Sequence, residues 1–234
     1  MDLPNYFLID LPPEAILTPE MIHEACQALK HNRERYLVGR PTPSLVRVVS
    51  QVARDWLEPE FPFRKLALAD GPKATGFSRA TLAAGLDAFF AALTLENLER
   101  LLIQDLGHLQ RLENLAASEV EQGSDRASFV RGPELLVHVA GGVLPNPTLM
   151  SMILGLLVRS AQFVKCATGA SYLPRLFAHS LYQAEPKLGA CLELAEWKGG
   201  AQAIESALFN EADCLTVTGH DDIPRPPYPW YSWS

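Results

Sequence analysis

Two neighbouring stretches decide the fold: His138-Val-Ala-Gly-Gly-Val-Leu-Pro-Asn-Pro147 and Gly155-Leu-Leu-Val-Arg-Ser-Ala-Gln-Phe-Val-Lys165. Residues 135–139 are apolar apart from His138 and run straight into a glycine pair, as a short buried strand does when it ends in a tight loop. Asn146 is placed to cap a helix, with Pro147 at its first position and Arg159 near its end. Gln162 to Lys165 then reads as a second short strand. The pattern repeats downstream. Ser171 opens a helix to about Ala184, with Leu173, Leu176, Phe177, Leu181 and Ala184 on one face. Ala190–Leu194 reads as a strand, Gly200–Phe209 as a helix, and Cys214–Thr218 as a strand that ends in Gly219. Strands alternating with helices of this length mean βαβ units and a parallel sheet.

The chain ahead of this region has a different character. Thr18 and Pro19 open a helix over 19–31, and 44–57 forms another. A loop containing Pro59, Pro62, Gly71, Pro72 and Gly76 follows. Ser78 starts an amphipathic helix through Leu82, Leu86, Phe89, Phe90 and Leu93. Thr94 caps the next, through Leu95, Leu98, Leu102, Leu106 and Leu109, which extends to about residue 116. A leucine face of this kind belongs to a core or packs against a partner helix. The expected organisation is a helical region over 1–120, an α/β domain over 121–222 and an irregular tail over 223–234. Four prolines between 224 and 229 forbid a helix in that tail.

Composition excludes several function classes. Of the 234 residues 48% are hydrophobic, enough for a sizeable core, and the net charge is −7. An acidic chain is a poor match for nucleic-acid phosphates or an anionic membrane surface. Cys26, Cys166, Cys191 and Cys214 are scattered and form no Cys-x-x-Cys pair. They read as reduced, mostly buried thiols of a cytoplasmic protein, with no zinc site. Val139–Val158 carries no charge over 20 residues. Gly141, Gly142, Pro145 and Pro147 interrupt it, so it predicts a buried helix and no membrane span.

In an open parallel sheet, ligands bind beyond the carboxyl ends of the strands. Three loops lie there: 138–147, Lys165-Cys-Ala-Thr-Gly-Ala-Ser171 and Thr216-Val-Thr-Gly-His-Asp221. Their small residues let a ligand approach the backbone, and the helices they lead into offer free N–H groups to phosphate. Neither the Gly-x-Gly-x-x-Gly fingerprint nor the P-loop signature is present. On spacing alone, a nucleotide or phosphate site and an α/β domain without a ligand are both open.

The run from Phe129 to Asp222 resembles the cofactor-binding domain of the aldehyde dehydrogenase superfamily, and within it the LuxC-type acyl-CoA reductases. Besides the two opening stretches, the resemblance rests on Pro186-Lys-Leu-Gly189, Trp197-Lys-Gly-Gly200, Ala207-Leu-Phe209, Ala212-Asp213 and Val217-Thr-Gly219, in this order and spacing. It implies a Rossmann-like parallel sheet of the aldehyde dehydrogenase type, preceded by a helical N-terminal region. It also implies a reductase that converts a fatty acyl-CoA or other acyl thioester to an aldehyde with NADPH, NAD remaining an alternative. Lys165 would then reach the ribose and phosphate of the adenosine half. Thr218, Gly219 and His220 would line the diphosphate, with His220 where the family has Ser, and Gly141 and Gly142 would border the same cleft. Ala167 and Thr168 stand where relatives carry Ser and Glu; without that carboxylate a 2′-phosphate is not repelled. The family's oxyanion-holding asparagine has no ungapped counterpart. Asn146 either fills that role after a shift or only caps its helix. The family's nucleophilic cysteine falls beyond residue 234, so the chain is expected to be an incomplete, inactive portion of the reductase. Other enzymes of the superfamily and a non-catalytic module assembling through its leucine-rich helices stay open, as does oligomerisation.

Overall fold

The computed structural model describes residues 3–142 and 145–218. Ten α-helices and four β-strands occur among them. The strands are β1 (Leu135–Ala140), β2 (Ala161–Cys166), β3 (Leu192–Glu196) and β4 (Cys214–Thr218). They form one parallel sheet in the order β3-β2-β1-β4.

The order follows from the connections. The helix α7 (Pro145–Leu157) joins β1 to β2, and α8 (Tyr172–Ala184) with the one-turn α9 (Pro186–Gly189) joins β2 to β3. These steps run outward in one direction. The next connection, α10 (Gln202–Glu211), must return past β2 and β1 to reach β4. Crossovers of a single hand that reverse direction put their helices on opposite faces. Accordingly α7 and α8 share one hydrophobic cluster and α10 lies in the other. The strands alternate to match: Val164, Cys166, Leu192 and Leu194 face the α7 side, while Leu135, Val137, Phe163 and Ala195 face α10.

The preceding helices complete both layers. Thr18 caps α1 (Pro19–Tyr36), accepting from the Met21 N–H, and Ile22, Cys26 and Leu29 pack beside α10. The opposite face is covered by α2 (Thr42–Leu57), α3 (Pro62–Thr75), α4 (Arg79–Ala91) and α5 (Leu95–Leu106). The Trp56 and Phe90 rings stack at 4.9 Å, and the Trp56 indole donates to Ser180 Oγ of α8 at 2.8 Å. Leu82, Leu86, Phe90, Leu98 and Leu102 belong to this same cluster, so the leucine faces of α4 and α5 are core.

Three elements differ from the sequence expectation. The segment read as a Pro/Gly loop is the helix α3. Pro62 sits in its first turn, where an N–H is not needed, Pro72 sits in its last turn, and Gly76 at φ +78° ends it. Burial of Phe63 and Ala67 outweighs the weak propensity. The helix expected to continue to about residue 116 stops at Leu106, because Gly107 adopts φ +77°; a 3-10 turn over Leu109–Leu112 follows. The helix α7 begins at Pro145, so Asn146 lies inside the first turn and is not the cap. A four-residue helix, α6 (Glu119–Gln122), precedes the sheet. Among the described residues no helix is long and apolar enough to cross a membrane. The expected irregular tail lies outside the described residues.

Candidate functional site

Strand register brings the candidate loops together. Ala140 pairs with Cys166 on one side and Thr218 on the other, and Cys166 pairs with Glu196. All four strands therefore end level. Hydrogen bonds extend this edge: the Gly141 N–H donates to the Thr218 carbonyl at 2.6 Å, and the Ala167 N–H donates to the Ala140 carbonyl at 2.9 Å. Lys165, Gly141, Gly142 and Thr218 thus share one sheet edge, and Asn146 stands in the first turn of the helix that leaves it. Gly219 and His220 fall outside the described residues.

The loops leave the backbone open. Gly142 and Gly169 have φ +84° and +78°, the left-handed region, and a Cβ added to either would meet nothing within 4 Å. Such positions let a ligand lie against the main chain.

Lys165 is not a solvated lysine. It is 9% exposed, and its ammonium lies 5.8 Å from the centre of the Trp197 ring. A cation over an indole face is held electrostatically, with no carboxylate to neutralise it. Among the described residues no carboxylate ion-pairs with Lys165. The Trp197 indole N–H is itself buried without a hydrogen-bond partner among the described residues. An unneutralised cation and an unused donor side by side suit a group rich in oxygen acceptors, such as a ribose phosphate. A nicotinamide dinucleotide therefore fits the residues present.

On the other face of β2, Cys166 is buried, and its thiol is pushed up to about 12, first by desolvation and then by the Glu196 charge. Desolvation likewise raises Cys26 and Cys191 to about 12. None of these three can supply a thiolate at neutral pH. Cys214 is exposed. Glu196 accepts from the Gly169 N–H at 3.0 Å. A carboxylate missing from the β2 loop in sequence thus stands beside that loop from β3.

Behind the edge runs a buried polar chain. The Gln162 amide nitrogen donates to the Met152 carbonyl at 3.0 Å, so Gln162 Oε1 is the acceptor for His138 at 2.8 Å. His138 Nε2 must then carry the proton, and Nδ1, 2.6 Å from Thr216 Oγ1, accepts from that hydroxyl. Desolvation lowers the His138 pKa, which keeps the ring neutral. This chain ties β4, β1, β2 and α7 together just under the loops.

Sequence reading named the loops but missed Trp197, Glu196 and the partners of His138. Each owes its place to strand register, which no local pattern reveals. The available signal was positional: Glu196 and Trp197 sit where β3 runs out into Lys-Gly-Gly. Among the described residues no cluster of His, Cys, Asp or Glu could hold a metal ion.

No curated protein matches the chain. Of the solved structures that match, one described as putative aldehyde dehydrogenase PutA from Anabaena variabilis has a TM-score of 0.64 at 16% identity. That match covers 88% of this chain, which spans 40% of the matched structure. The fold is thus the α/β fold of an aldehyde dehydrogenase, with its parallel sheet. The sequence pattern of the acyl-CoA reductase (LuxC) family matches residues 40–223. The chain belongs to the acyl-CoA reductase (LuxC) family.

Proposed function

We propose that this chain is the cofactor-binding portion of a cytoplasmic reductase that converts a fatty acyl thioester to an aldehyde with NADPH, or with NADH, the cofactor that the Glu196 carboxylate beside the Gly169 loop favours. The observation that carries the reading is the level edge of four parallel strands with a buried, unneutralised Lys165 beside an unused Trp197 donor. Residues 121–222 act as the nucleotide-binding unit and residues 1–120 as its helical cover. Lys165 holds the ribose and phosphate of the adenosine half. Thr218, Gly219 and His220 line the diphosphate, and Gly141 and Gly142 admit it to the backbone. Asn146 faces the carbonyl of the acyl group, where its amide donates to oxygen as negative charge develops. The bound nicotinamide supplies the hydride. Covalent capture of the acyl group needs a thiolate at this edge; Cys26, Cys166 and Cys191 are held as thiols and the exposed Cys214 opens β4 at the far end of the strand, so the chain by itself is inactive.

Titration with NADPH, followed by energy transfer from tryptophan to the nicotinamide, tests the reading. Saturable quenching at micromolar to sub-millimolar cofactor is expected, weakened at least tenfold in Lys165→Ala, with no oxidation of NADPH when fatty acyl-CoA is added. Absence of saturation at millimolar NADPH, or equal affinity in the variant, contradicts it.

A further inference from the structure

At the opposite end of the sheet, Arg33, Phe129, Arg131, Gly132, Val158 and Arg159 line a small cleft of about 50 Å³. Gly132 precedes β1 and Arg159 precedes β2, so this cleft lies a strand length, roughly 20 Å, from the Lys165 edge. It is distinct from the cofactor site. We propose that it binds the phosphate group of a small ligand.

The first argument is charge. Arg33 and Arg159 are both buried, although the protein as a whole is acidic. Their carboxylate partners are not: the Glu34 side chain is 60% exposed and that of Glu113 32%. Water screens these pairs, so they neutralise the guanidiniums only in part. Arg131 adds a third positive charge at the rim and makes no ion pair among the described residues. Three cations thus meet two partly solvated anions at one concave spot.

The second argument is unused donors. Arg33 Nε donates to the Arg159 carbonyl at 2.8 Å, Nη1 to Glu34 at 2.6 Å, and Nη2 only weakly to the Gly132 carbonyl at 3.4 Å. One N–H on each terminal nitrogen is left over. Arg159 is spent differently, since its guanidinium clamps Arg40, Thr42, Leu112 and Glu113. It supplies field, while Arg33 and Arg131 supply the hydrogen bonds. A phosphate dianion has the charge and the oxygens to meet two guanidinium edges at once, where a carboxylate has a single charge and two oxygens. Phe129, half exposed at the rim, offers an apolar surface to whatever bears the phosphate.

The test uses the full chain, with inorganic phosphate as probe at constant ionic strength and backbone amide shifts as readout. Saturable, millimolar shifts of residues 129–132 and 158–160 are expected. They should persist in Lys165→Ala and weaken at least tenfold in Arg131→Ala, an exposed position whose loss leaves the fold intact. Acetate at equal concentration should bind at least tenfold more weakly. No saturable shift at those residues, equal affinity in Arg131→Ala, or equal binding of acetate overturns the proposal. Loss in Lys165→Ala alone would place the phosphate at the cofactor edge and overturn it as well.

Discussion

Glu193 shows how one side chain can tilt the stability of the whole chain with pH. It sits on the α1 side of β3, and Oε1 accepts from the Leu8 N–H at 2.6 Å and the Leu194 N–H at 2.9 Å. Burial outweighs both bonds and raises its pKa from 4.5 to about 7. Between those values the folded chain holds a proton that the unfolded chain has released. Stability from this group is therefore complete below 4.5 and is lost as pH rises through 7, by ~3 kcal/mol in all. Glu193→Gln keeps the accepting oxygen and cannot ionise. Its urea midpoint should match the parent near pH 4.5 and exceed it increasingly up to pH 8; a constant offset across that range would contradict the account. A second residue, Glu196, bears on the choice of cofactor. Its carboxylate stands beside the Gly169 loop, where it would repel a 2′-phosphate and attract ribose hydroxyls. Glu196→Gln should tighten NADPH several-fold while leaving NADH unchanged or weaker, and parallel changes for the two cofactors in fluorescence titrations would refute that role.

Elements were legible where local rules act alone. Thr18, Ser78 and Thr94 cap their helices through the expected side-chain bonds to Met21, Thr81 and Asn97. All four strands fall within two residues of their expected starts. The miss at α3 has a physical cause: Pro62 costs little in the first turn, and buried Phe63 and Ala67, through contacts distant in sequence, outweigh the hydrogen bond that Pro72 forfeits near the end. The site was legible in the same measure. Glycines after strands announce loops, but the approach of Trp197 to Lys165 depends on β2 and β3 being paired in register. The polar chain of β1 suggests a test at this scale. A Cβ on Gly155 of α7 would overlap the Gln162 side chain. Gly155→Ala should push Gln162 off both His138 and the Met152 carbonyl and cost about 2 kcal/mol. It should also change the His138 imidazole resonances; unchanged resonances and unchanged stability would show that the chain is slack.

Across the whole molecule, the helical and α/β parts share a continuous core and are joined by buried polar clamps. Arg159, held at φ +61°, reaches the Arg40 carbonyl at 2.9 Å and Thr42 Oγ1 at 3.1 Å, and also bonds the Leu112 carbonyl and Glu113. Arg159→Met fills the volume but strands these acceptors. A loss of about 3 kcal/mol is expected in urea unfolding, in a single transition that fluorescence and circular dichroism report together. Two separate transitions would mean that the parts fold independently. The central claim concerns the level strand edge, and hydrogen exchange of the full chain with and without NADPH tests it most directly. The account predicts protection by NADPH at residues 140–142, 165–170 and 196–200, with 129–132 and 158–160 unaffected. Binding that leaves the strand-end loops unprotected would contradict it.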